Sequence, residues 1–103
     1  MTVRNAADEQ QVKEASHKAK RGRDLELDDV RFVMNAPQGR RFMNRLIEFC
    51  GVNRSSFTGN STTFFNEGQR NVGLMLFADV EESCPELYLL MRQEARKREE
   101  TNV

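Results

Sequence analysis

The stretch F64-F-N-E-G-Q-R-N-V-G-L-M-L-F-A-D-V80 decides the fold. Phe65, Val72, Leu76 and Val80 recur at helical spacing, with Phe64, Met75 and Ala78 beside them. Yet Gly68 and Gly73 stand inside the pattern, and each glycine costs a helix interior about 0.5–1 kcal/mol relative to alanine. A glycine removes a side chain, so another backbone can approach. Five residues separate the two, about 140° around the axis, so they open two faces instead of one groove. The reading is two close-packing glycines. One receives the segment Val52–Thr58 or a neighbouring helix, and the other receives a different helix. The alternative is that one face admits another copy of the chain or a partner.

Working outward, P37-Q-G-R-R-F-M-N-R-L-I-E-F-C50 is a second amphipathic helix. Pro37 suits its first turn and Gly51 its C-terminal cap. Phe42, Leu46, Phe49 and Cys50 are the expected core stripe, with Met43 and Ile47 widening it and Arg40, Arg41, Arg45 and Glu48 opposite. Between these helices, V52-N-R-S-S-F-T-G-N-S61 reads as an ordered loop near 52–61, anchored by Val52 and Phe57. Upstream, Leu27, Val30, Val33 and Met34 mark a helix from Asp24 that ends before Pro37. Downstream, S83-C-P-E86 has a capping-box pattern, and the helix after it buries Leu87, Leu90 and Met91. Its end, residues 97–103, reads as a charged, frayed tail. Residues 1–23 are polar throughout, with Val12 their main apolar contact and Gly22 punctuating the end, so they read as a basic arm, helical or disordered. No alternating strand of convincing length occurs. The expected fold is all-α: a compact bundle of four to five short helices over residues 24–96.

The chain has 103 residues, enough for one small domain, with 38% hydrophobic and 31% charged residues. Net charge is zero, so no whole-chain field draws in nucleic acid or an anionic membrane. The charge is nonetheless blocked: +3 over residues 1–23, −3 over 24–34, +2 over 35–80 and −2 beyond. Alternating blocks suit contact between elements or between copies. Cys50 and Cys84 read as buried reduced thiols, with a disulfide the alternative. No signal segment is read in the N-terminus, and no stretch approaches transmembrane length. Asn53 and Asn60 then head chance glycosylation triplets.

Candidate chemistry is sparse. His17 is the sole histidine and has no ligand at metal spacing. Ser55 and Ser56 have no histidine partner, and neither a Walker-type loop nor a dinucleotide fingerprint occurs. The chain is expected to be no enzyme, with no cofactor, metal or small-molecule substrate. Arginine outnumbers lysine twelve to four, and its planar fork suits bidentate pairing. Arg54, Glu67, Arg70 and Asn66 read as a network pinning the loop to the helices. Arg40, Arg41 and Arg45 read as an exposed interaction surface. Lys13, Lys18, Lys20, Arg21 and Arg23 are candidate phosphate contacts, without an aromatic residue to stack on bases.

Three blocks are more specific: Gly39-Arg40-Arg41-Phe42, the turn from Gly51 to Phe57, and Asn66-Glu67-Gly68-Gln69-Arg70-Asn71-Val72-Gly73. Together, over roughly residues 27–95, they resemble a small family encoded by tailed, mainly short-tailed, bacteriophages, whose type member is a Bordetella phage protein. The resemblance implies a virion or head-assembly protein. Its expected partners are other virion proteins or copies of itself, met in the host cytoplasm during assembly or in the virion. Two alternatives stand beside it: a DNA-binding accessory protein using the arm and Arg40, Arg41 and Arg45, and a small inhibitor of a host protein.

Overall fold

A computed structural model describes residues 6–52 and 62–101. They form four helices: α1 (Ala6–Met34), α2 (Pro37–Phe49), α3 (Thr62–Ser83) and α4 (Pro85–Thr101). There is no strand among the described residues, and the all-α bundle is the architecture.

Two prolines and one glycine set the helix boundaries. Ala36 is extended (φ −104°, ψ 142°), as a residue before proline must be, and Pro37 then occupies the first turn of α2. At the other end Gly51 has φ 73°, a left-handed conformation that glycine adopts without strain. Cys84 alone separates α3 from α4. Its amide donates to the Val80 carbonyl at 2.8 Å and its own carbonyl accepts from Leu87 at 3.0 Å. Ser83 does not cap α4 as the sequence pattern suggested. Its hydroxyl donates to the Leu27 carbonyl at 2.6 Å, tying α3 to α1.

Gly22 does not end a helix. α1 runs through it for 29 residues, because alanines and long polar side chains favour helix. Immediately after Gly22, Arg23 is clamped by Glu26 (3.0 Å), Asp79 (2.9 Å) and Glu82 (2.7 Å). From there α1 lies alongside α3, running parallel to it, while α4 runs antiparallel to α2. α2 and α3 close the middle. Residues 6–22 are all exposed and overhang the bundle, which lengthens the molecule to 67 × 39 × 15 Å.

The core sits where the four helices meet. Met34, Met43, Ile47, Val80, Cys84 and Met91 are buried, with Val30, Val52, Leu76, Leu87 and Tyr88 packed around them. Both cysteines are free thiols and buried. Phe77 meets Tyr88 edge-on at 5.0 Å. The expected stripes are corrected in three helices. In α2, Phe42 and Phe49 point outward while Met43 and Ile47 point in. In α3, Phe64, Phe65, Val72 and Met75 are exposed, leaving Val80 buried and Leu76 partly so. In α4, Leu90 is exposed, and Met91 with Ala95 fills the core. The interior of so thin a bundle takes flexible methionines and small side chains, and most phenylalanines stay outside.

Candidate docking surface

The Gly39-Arg40-Arg41-Phe42 block divides between inside and outside. A Cβ on Gly39 would lie 1.7 Å from the Val33 carbonyl oxygen, so α2 can start against the end of α1 only with glycine there. Arg40 follows it inward. It is 8% exposed and donates to the Met34 carbonyl at 2.9 Å and to the Glu94 carboxylate at 2.6 and 3.3 Å. Arg40 is thus a link between three helices, and its expected place on an exposed surface is corrected. The bond from Arg40 holds the Glu94 carboxyl below its ordinary range, with burial opposing and the more distant Arg98 and Arg41 assisting. A second link runs from Arg92 to Asn44 (2.7 Å) and Glu48 (3.0 Å).

Arg41 and Arg45 do face outward. With Gln38, Phe42, Asn44, Glu48 and Arg98 they line an open groove of about 490 Å³ between α2 and α4. The Arg45 guanidinium stands 5.9 Å from the centre of the Phe42 ring, a cation–π contact that holds both side chains in place. Glu48 is engaged by Arg92. No ion pair among the described residues involves Arg41, Arg45 or Arg98. The groove therefore offers three guanidinium groups outside any ion pair among the described residues, beside exposed rings at Phe42 and Phe49. That arrangement can grip carboxylates or phosphates on a surface that also has apolar side chains. Arg98 was missed from sequence, where its segment read as a fraying tail. Only the antiparallel packing of α4 on α2 brings it to Arg41.

Arg23 also leaves the exposed set. Hydrogen bonds to Glu82, then Asp79 and Glu26, hold its guanidinium still more firmly charged. Lys13, Lys18, Lys20 and Arg21 remain exposed on the overhang, interspersed with Asp8, Glu9 and Glu14. Arg54 and the loop read at 52–61 lie, apart from Val52, outside the described residues. Within the network expected around Arg54, Glu67 is exposed and Arg70 half-buried, and neither forms an ion pair among the described residues. Asn66 is engaged. Gln69 donates to the Phe49 carbonyl, tying α3 to the end of α2.

The two glycines of α3 part company. A Cβ on Gly73 would lie 2.5 Å from the Cys50 Cβ and 2.6 Å from the Val52 Cγ2, so α2 and its C-terminal turn occupy that space. A Cβ on Gly68 would meet no described atom within 4 Å beyond its own turn of helix. The segment Val52–Thr58, expected to pack on one of the two glycines, lies apart from Val52 outside the described residues. Among the described residues no cluster of histidine, cysteine or carboxylate side chains could hold a metal ion, and no helix is long and apolar enough to cross a membrane.

Residues 30–93 match the Bbp19-like phage protein family, from the last turn of α1 to the middle of α4. No curated protein and no solved structure matches the chain.

Proposed function

The chain belongs to the Bbp19-like phage protein family, and from that premise we propose that it is a non-enzymatic structural or head-assembly protein that works by docking in the virion. One observation carries the reading. Phe32, Phe42, Phe49, Phe64 and Phe65 are each more than half exposed, on three different helices. A single exposed ring is ordinary, but five on so small a chain mark faces that other proteins cover. The arginine groove adds direction, because guanidinium groups outside any close ion pair, beside rings, select acidic, partly apolar surfaces. Expected partners are other virion proteins, met in the host cytoplasm during assembly.

Mass spectrometry of purified particles, with copy number, tests this reading. Recovery in fixed stoichiometry supports it. Absence from both mature particles and assembly intermediates sinks it and favours a host-directed inhibitor.

The exposed lysines of the α1 overhang favour one second reading, a DNA-binding accessory protein. Arg23 and Arg40 are committed to carboxylates, which leaves Lys13, Lys18, Lys20 and Arg21, with Arg41 and Arg45, to meet phosphates. Duplex binding that falls steeply with added salt would support it. No binding at low salt would dismiss it.

A further inference from the structure

Two stripes on this chain mirror each other. On the outer side of α1, Leu25 and Phe32 are 64% and 81% exposed. Asp24, Asp28 and Asp29 surround them, exposed and outside every ion pair among the described residues. On the outer side of α2, Phe42 and Phe49 are 54% and 68% exposed. Arg41, Arg45 and Arg98 surround those, likewise outside every such pair. Each stripe sets two large apolar side chains seven residues apart, about 10.5 Å along a helix. The spacing is equal, the charges are opposite, and each side has three.

We propose that the acidic stripe of α1 docks on the basic stripe of α2 in a second copy of the chain. Leu25 and Phe32 would lie against Phe42 and Phe49, with the aspartates on Arg41, Arg45 and Arg98. Phe32, Phe42 and Phe49 are already partly covered, so together they can remove roughly 300–500 Å² from water, and Leu25 adds to it. With the aliphatic stems of the arginines, the contact approaches the roughly 1,000 Å² of a specific interface. Oppositely charged flanks steer the approach and fix which face meets which. Because the two stripes differ, the contact is heterologous. Each copy keeps one face of each kind free, so the association repeats head to tail and closes only if the rotation allows a ring. A repeating contact of this kind would give the chain a natural place in a symmetric particle.

The inference rests on the docking reading and narrows it to self-association. The test is sedimentation velocity of the full chain with two variants. In one, Asp28→Arg and Asp29→Arg spoil the acidic stripe. In the other, Arg41→Glu and Arg45→Glu spoil the basic stripe. All four positions are exposed, and circular dichroism checks that helicity is kept. The native chain is expected to assemble with concentration and to loosen as salt screens the flanks. Each variant alone is expected to stay monomeric. Mixed in equal amounts, they pair through the two native stripes, and the two reversed stripes are again opposite in charge, so assembly should return in the mixture. Phe32→Ser and Phe49→Ser form a second pair of variants whose spoiled stripes do not complement each other, so each should stay monomeric and their mixture should give a one-to-one pair that grows no further.

A native chain that stays monomeric at about 100 μM in low salt overturns the proposal. Assembly that survives both reversals, or a mixture that stays monomeric, does the same. A monomeric chain found in particles at fixed copy number removes self-pairing and leaves docking to other virion proteins standing. An assembling chain missing from particles and intermediates removes the virion role and leaves self-pairing standing.

Discussion

Gly73→Ala and Gly68→Ala form a matched pair of perturbations. Both glycines lie in α3, and both substitutions gain the same helix propensity, up to about 1 kcal/mol. That gain cancels between them, so the comparison isolates packing. At Gly68 a Cβ meets no described residue, and the gain should appear in full as about 0.5–1 kcal/mol of added stability. At Gly73 the new Cβ would stand 2.5 Å from the Cys50 Cβ, where ordinary contact begins at 3.4 Å. The Cys50 Cβ is fixed to the backbone at the end of α2, so α2 and α3 must separate by most of the shortfall. Val52 can turn its Cγ2 away, but only toward side chains packed beside it. A gap of 0.5–1 Å forfeits a quarter to a half of each affected dispersion contact, and forced repacking of this kind costs about 1–3 kcal/mol. The two variants should therefore differ by about 1–3 kcal/mol, with Gly73→Ala the weaker. For a chain of this length that is a separation in melting midpoint of roughly 4–20 °C. Thermal melts followed at 222 nm, with urea titrations to check the slope, measure it directly. Equal shifts in one direction for both variants would refute the asymmetry between the two faces of α3.

Four further outcomes are expected. Gly39→Ala should destabilise more than Gly73→Ala, since its Cβ would meet a backbone carbonyl oxygen at 1.7 Å that cannot swing aside; urea midpoints rank the two. Arg40→Met should cost about 1–3 kcal/mol by chemical denaturation, because it leaves the partly buried Glu94 and the Met34 carbonyl without their donor. Glu94 has a lowered carboxyl pKa, so its contribution is complete above the ordinary carboxylate range and is lost as pH falls through the lowered value. Urea midpoints for the native chain and Glu94→Gln should therefore differ at pH 7 and converge toward pH 3. Deleting residues 1–20 should move the melting midpoint by only a few degrees, since residues 6–22 are exposed throughout; a large drop would show that the overhang supports the bundle.

The helical class and most of the helix ends were legible because local chemistry sets them. Pro37, Gly51 and Pro85 act within one turn of where they stand. The continuity of α1 was not legible, since Gly22 punctuates a helix end and a helix interior with the same local signal. The clamp that carries the helix past it comes from Asp79 and Glu82, far along the chain. The choice of inward face in α2 was equally remote. Phe42 and Phe49 make one apolar stripe, and Met43, Ile47 and Cys50 make another about as good. Arg40 decides between them by reaching Glu94, which lies 54 residues away. The same contact removed Arg40 from the candidate surface, while Arg98 entered it through the pairing of α2 with α4. Gly68 and Gly73 look alike in sequence, and only the course of the chain after α2 tells them apart.

A rod behaves differently from a leash. Because α1 continues unbroken from Ala6 past the Arg23 clamp, its first seventeen residues form a lever about 25 Å long. Its azimuth is fixed by the rest of the molecule. One residue inserted beside Gly22 would swing its lysines through about 100° and advance them 1.5 Å, whereas a tethered arm would absorb the same insertion without effect. Whatever those lysines touch is thereby held in phase with the bundle.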